Sequence, residues 1–329
     1  MPVSLAVSAP FPGCSAADAV AIVQDAAGWG YTACWAAEVD GPDAFTVLGA
    51  VAATTDLELG VAVVPVQTRS AFVLGMTALS LASLSNGRFT LGVGASSEVL
   101  VSRFGGLPFE RPLQHVRETV QVLRPMLAGE RASIDGDLVR VGGYKYPGPA
   151  PTPVPLWIGA LNPKSLRQTG ELADGLCVNQ VAPQHLGRMI DEVRAGAADA
   201  DRTLPDPLPV MARLFCLVTD EVDVARQMVK YVFAPYVATS VYNRFYRWQG
   251  YEEEAAAILA AAQAQDKQAM ADAFSERLVD DLFLVGSAQQ VADRIREYVD
   301  AGVTVPVIAP MAADPGSARA TLKAIADAW

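Results

Sequence analysis

Residues 155–165 read Pro155-Leu156-Trp157-Ile158-Gly159-Ala160-Leu161-Asn162-Pro163-Lys164-Ser165. A short apolar run ends on Gly159, and Asn162-Pro163 then opens a helix. Asn is a favoured N-cap, and Pro fits the first helical position, where no backbone N–H is needed. The stretch is therefore one strand-to-helix step. An uninterrupted apolar run of this length suits a strand covered on both faces, as in a parallel sheet.

Outward from this point the same step recurs. Apolar runs at residues 4–9, 32–36, 57–64 and 89–93 precede the run at 155–159, and those at 175–178, 210–218 and 303–308 follow it. Helical spacing fills the intervals: Val20, Val23 and Ala27; Leu186, Met189, Ile190 and Val193; Val291, Ile295, Tyr298 and Val299. Asn86-Gly87 and Asp300-Ala301-Gly302 each mark a helix stop, with Gly suited to the left-handed position past the helix end. Eight alternations favour a closed barrel over an open sheet. The expected fold is α/β, one (β/α)8 TIM-barrel domain over 1–329, with insertions after strands four and seven at about 128–155 and 235–274. The first insertion holds a hairpin-like segment at 138–146. The second starts with Tyr236, Tyr242, Phe245, Tyr246, Trp248 and Tyr251, which could roof a pocket, form a helical lid or make a dimer contact.

Composition narrows the function classes. The chain has 329 residues, 51% of them hydrophobic and 19% charged, enough to bury a large core without a disordered tail. No apolar run approaches the roughly 20 residues that span a bilayer. The start, MPVSLAVSAPFPG, lacks the basic flank and longer apolar core of a signal peptide, so a cytoplasmic protein is expected. A net charge of −11 opposes a nucleic-acid partner, which needs clustered Lys and Arg. Cys14, Cys34, Cys177 and Cys216 form no CxxC pair and read as buried thiols.

A barrel of this kind builds its site from the loops after the strands. At 159–164 the first turn of the helix offers N–H groups and a dipole to an anion, with Lys164 adding charge and Gly159 and Ala160 leaving space. An ordinary capped helix would look the same. Gly92-Val93-Gly94-Ala95-Ser96-Ser97-Glu98, after strand four, would let a ligand lie against the backbone, but it lacks the full dinucleotide-binding spacing. Glu38, at the tip of strand two, could move a proton or accept from a ring; it could equally cap the helix that starts near Asp43. His115 and His185 sit at helix starts and join no metal-binding pattern, so no metal is expected. The residues alone imply a barrel enzyme for a phosphate-bearing ligand and a small-molecule partner.

The same segments resemble the bacterial-luciferase-like superfamily, and within it the oxidoreductases that use the deazaflavin coenzyme F420. The likeness is carried by Gly30-Tyr31 through Trp35 with Glu38; by Leu59-Gly60-Val61-Ala62-Val63-Val64-Pro65 with Arg69; by Leu84 through Gly94; by Phe104-Gly105 and Pro108 through Pro112; by Pro155 through Ala160 with Pro163-Lys164; and by Gly170 through Gly175. Val285 through Ala292 and Ala301-Gly302-Val303 echo it near the end.

The resemblance implies a cofactor ring across the mouth. Ala62, Val63 and Val64 would stand behind the ring, with a non-proline cis peptide at Ala62-Val63 or one residue later. Gly94, Ala95 and Ser96 would line the ring and ribityl chain. Gly159, Ala160, Leu161, Asn162, Pro163 and Lys164 would hold the phosphate, and Glu38 would be the catalytic residue. Two departures stand out: Val39 occupies the position where many relatives carry histidine, and Leu161-Asn162 replaces a Gly or Ser-Gly pair. Trp35, Trp157, Phe245 and Trp248 are candidates for the substrate side, although core packing accounts for Trp157 equally. F420-dependent hydride transfer by a homodimer is the expected activity. An FMN-dependent monooxygenase and a non-catalytic cofactor-binding barrel are the alternatives.

Overall fold

All eight apolar runs become parallel strands, and the sheet they form closes on itself. The structure is a computed structural model that describes residues 3–149 and 152–329; Met1, Pro2 and residues 150–151 of the first insertion lie outside the described residues. The barrel strands are β1 (Ala6–Ala9), β2 (Ala33–Ala36), β3 (Glu58–Pro65), β4 (Phe89–Gly94), β7 (Leu156–Gly159), β8 (Gly175–Asn179), β9 (Val210–Val218) and β11 (Val305–Pro310). They pair in that order, and the β1–β11 and β8–β9 ladders complete the circle. Between them run α1 (Ala16–Gly28), α2 (Ala44–Thr54), α3 (Ala71–Leu84), α4 (Pro112–Leu127), α5 (Pro163–Leu172), α6 (Pro183–Asp199), α7 (Val222–Val237), α12 (Ala288–Asp300) and, last, α13 (Pro315–Ala328).

Barrel strands carry inward and outward residues alternately, and the inward set must fill the lumen. Here Trp35 and Trp157 do most of it, with ring centres 5.0 Å apart, packed with Ala6, Ala33, Cys177, Met211 and Val307. Two glycines make this possible. A Cβ on Gly60 would stand 2.3 Å from the Trp35 indole, and one on Gly175 2.6 Å from that of Trp157. The two tryptophans are therefore part of the interior packing of the barrel. Phe245 is likewise buried, and Trp248 lies under the Arg188 guanidinium, 4.1 Å from its ring centre. The four thiols are buried and unpaired; burial pushes Cys34 up to about 12, which makes it a packing residue.

The first insertion is a hairpin of β5 (Ala132–Asp135) and β6 (Arg140–Tyr144), so the expected segment at 138–146 was only its second half. Glu118 of α4 seats its turn, accepting the N–H groups of Leu138 and Val139 at 2.8 Å and the Gln114 amide at 2.8 Å. Burial pushes the Glu118 carboxyl up, but these hydrogen bonds more than offset it and hold it below its ordinary range. Glu118→Ala should cost about 2–4 kcal/mol, since it orphans buried donors. A group depressed in the folded state stabilises above its unfolded pKa. The part of the Glu118 contribution that comes from its charge should therefore start to decline as pH falls below about 4.3 and be lost as pH falls through its lowered folded pKa. Denaturant titrations of both proteins at pH 7 and pH 3 check this; an equal gap at both values contradicts it.

The second insertion is a helical group, α8 (Ser240–Trp248), α9 (Glu252–Gln263), α10 (Lys267–Ala273) and α11 (Glu276–Leu282). It leads into β10 (Leu284–Gly286), a three-residue strand that the sequence reading missed and that pairs with the end of β9. The α8 helix sits over the tip of β8: Asn179 donates to the Tyr242 hydroxyl at 3.2 Å, and the Tyr246 hydroxyl donates to the Gln180 amide oxygen at 2.8 Å. The aromatic insertion thus lies at the mouth, as expected.

Candidate active site

The mouth is shaped by an irregularity in β3. Along the β3–β4 ladder Val61 pairs with Leu91, yet Val64 pairs with Val93, so β3 carries one extra residue there, a bulge. The peptide Ala62-Val63 within it is cis, at the expected position. The neighbours are built around this feature. A Cβ on Gly92 would meet the Val61 carbonyl oxygen at 2.1 Å. One on Gly94 would meet Val63 Cγ2 at 2.6 Å, and one on Gly159 would meet Val63 Cγ1 at 2.8 Å.

The Val63 side chain therefore occupies the space beside both glycines. Their small size serves the packing of Val63, which closes the floor of the mouth with an apolar surface. Ala62 and Val63 are half-buried there, while Val64 and Ala160 are buried in the main core. Ala95 and Ser96 follow β4 and are half-buried, Ser96 with φ of 59°. Just beyond β3, both atoms of the Gln67 terminal amide are buried without a partner. An amide left in this state fits a ligand that brings both a donor and an acceptor.

Glu38 is tied to Arg69. The guanidinium donates Nε at 3.0 Å and Nη2 at 2.8 Å to the carboxylate, reaches Asp43 as well, and lies 4.7 Å above the Phe45 ring centre. The bond to Glu38 holds Arg69 above its ordinary range. The helix cap expected near here is made by Asp43, which accepts the Thr46 N–H at 2.7 Å. Burial raises the Asp43 carboxyl, but Thr46 and Arg69 bring it below its usual range. Val39 is 41% exposed and joins none of this.

The α5 start is as read: Asn162 is the N-cap and Pro163 the first helical residue. The cap, however, consumes donors. Ser165 N–H goes to Asn162 Oδ1 at 3.1 Å, and Asn162 N–H goes to Ser165 Oγ at 3.2 Å. Pro163 has none, so Lys164 N–H is the first-turn donor left for an anion. Asn162 and Lys164 are exposed and Leu161 is half-buried; the Lys164 side chain borders a groove of about 410 Å³ between α4 and α5, lined also by Gln114, Arg117 and Gln168. His115 and His185 are half-buried on α4 and α6, and burial lowers both below the usual imidazole range.

The sequence reading missed the opposite wall. A cavity of about 210 Å³ lies between the ends of β1, β9 and β11 and the side of α7, and Arg213 of β9 lines it. The signal was present: Arg213 is the single charge inside the apolar run 210–218.

Comparison with known proteins follows this geometry. A family model described as luciferase-like monooxygenase matches residues 5–305. The 5,10-methylenetetrahydromethanopterin reductase of Methanolobus tindarius is 28% identical over 266 residues, 80% of each chain. A protein of Mycobacterium tuberculosis provisionally named as a coenzyme F420-dependent oxidoreductase is 27% identical over 313 residues, 89% of each chain. Among solved structures, the coenzyme F420-dependent tetrahydromethanopterin reductase of Methanopyrus kandleri superposes with a TM-score of 0.80 at 22% identity, over 99% of this chain and 98% of that one. That likeness establishes the fold.

Proposed function

The chain belongs to the luciferase-like monooxygenase family and is an oxidoreductase, and from that premise we propose that it uses coenzyme F420 to move a hydride to or from a small organic substrate. The observation that carries the reading is the floor of the mouth, an apolar platform made by Val63 between Gly94 and Gly159, together with the unpartnered Gln67 amide in the turn that follows β3. A flat heterocycle with a polar edge fits that combination. A relative named for F420 that is matched over 89% of each chain supports the choice of cofactor.

When bound, deazaflavin supplies a two-electron hydride carrier with carbon in place of N5, and the protein supplies orientation and electrostatics. Ala62, Val63 and the Val64 backbone would support the ring. Gly94, Ala95 and Ser96 would flank the ring and its chain. Gly159 through Asn162 and Pro163 would shape the phosphate loop, where Lys164 contributes its N–H and its charge. Glu38, held in place by the two Arg69 hydrogen bonds, would be the polar partner at the ring and the proton acceptor for a substrate hydroxyl.

No helix among the described residues is long and apolar enough to cross a membrane, and we assign the protein to the cytoplasm. A homodimer is supported by the exposed apolar side chains Phe72, Val73 and Leu84 of α3; light scattering on the purified chain checks it.

Titration with F420 and with FMN, side by side, tests the cofactor. F420 should bind in the micromolar range or better, and FMN at least about tenfold more weakly, a difference of about 1.4 kcal/mol. Tight FMN binding with oxygen consumption would transfer the protein to the monooxygenases. Binding of neither would favour a barrel without catalysis.

A further inference from the structure

Arg213 is an anomaly of the barrel wall. Apart from Glu58, the first residue of β3, it is the only charged residue in the eight barrel strands. Its Nε donates to Ser8 Oγ at 3.2 Å, and its guanidinium carbon lies 4.9 Å from the Phe215 ring centre. Among the described residues no carboxylate comes within ion-pair distance of it. Arg213 is half-buried, and the desolvation there pushes it below its ordinary range with no anion to offset it.

The cavity around it sharpens the point. Of the residues lining its roughly 210 Å³, only Ser8 and Arg213 have polar side chains; the walls include Phe11, Phe215, Phe233 and Met311. On β8, Asn179 is the register partner of Arg213, and its amide oxygen is buried without a partner. A guanidinium is planar, always charged, and presents parallel N–H donors that match a carboxylate in two-point fashion. A cation held in an apolar chamber is costly unless a ligand supplies the counter-charge.

We propose that Arg213 is the specificity residue of the substrate side, and that the substrate carries a carboxylate on an apolar body. This rests on the F420 reading above. With the ring supported at the tips of β3, β4 and β7, the Arg213 cavity under β1, β9 and β11 is the opposite half of the mouth. The carboxylate anchors at Arg213 and Ser8, and the body occupies the apolar chamber.

The test uses the full chain and defined probes: benzoate and 3-phenylpropionate as carboxylates, with benzamide as the neutral control. In the absence of cofactor, calorimetric titration of the wild type should detect the carboxylates and not benzamide. Arg213→Gln should weaken them about tenfold or more, and Arg213→Lys should retain part of the affinity. The F420 affinity of Arg213→Gln should stay within about threefold of wild type. Carboxylate binding unchanged in Arg213→Gln overturns the proposal, as does an absence of binding to the wild type at about 20 mM probe. A loss of F420 affinity as large as the carboxylate loss also overturns it, because the anion would then belong to the cofactor. Should Arg213→Gln fail to fold by circular dichroism, benzoate-over-benzamide selectivity and Arg213→Lys decide. The probe titrations need no cofactor, so failure of the F420 reading appears separately, as absent F420 binding by a wild type that still binds benzoate.

Discussion

Gly92→Ala is expected to destabilise the protein by about 3 kcal/mol or more and to weaken F420 binding at least about tenfold. One methyl group does this because of what it meets. The new Cβ would stand 2.1 Å from the Val61 carbonyl oxygen and 3.3 Å from Cys177 Sγ. A side chain could rotate away; a backbone carbonyl in a paired strand cannot. Relief requires β3 to move at Val61, where the bulge starts that carries Ala62 and Val63. Stability and cofactor affinity should therefore fall together. Gly49→Ala is the matched control, since a Cβ there meets nothing within 4 Å and the site is inside α2. It should be neutral or stabilising by up to about 1 kcal/mol. Denaturant melts and F420 titrations of the two variants check the contrast. An unaffected Gly92→Ala protein would mean that the β3 bulge is not held as described.

Trp157→Ala should cost about 3–5 kcal/mol. The indole is 7% exposed and packs against Trp35 in a tilted pair, ring centres 5.0 Å apart, with Gly175 against its ring. The strands around the lumen are tied into a closed ladder and cannot collapse into the space, so most of the void persists. Its effect on F420 affinity should be smaller than that of Gly92→Ala, because Trp157 belongs to the packing below the mouth. A loss of F420 binding without loss of stability would return Trp157 to the role of a ligand contact.

What the sequence disclosed followed from strong local signals. Uninterrupted apolar runs revealed the eight barrel strands, since a strand covered on both faces has no polar side to show. Asn162-Pro163 revealed the α5 start, since capping chemistry is local. The missed features depend on tertiary context. The three residues of β10 are a strand only because the end of β9 offers them a ladder. The β5 segment Ala132–Asp135 has mostly half-buried or exposed residues and no apolar run, and its hairpin turn is fastened by Glu118 from another element. Gly94 and Gly159 also make room for Val63 from a different strand, a packing role that no local pattern could disclose. Arg213 is the reverse case: its charge inside an apolar run was legible in the sequence and went unread.

The central claim is that the cofactor ring lies on the Val63 platform at the mouth. A crystal structure of the F420 complex tests it most directly. The account predicts the ring against Ala62 and Val63, flanked by the tips of β4 and β7, its phosphate near Lys164 and the Arg213 cavity open across from it. A ring bound outside the mouth, touching none of Val63, Gly94 or Gly159, would contradict it.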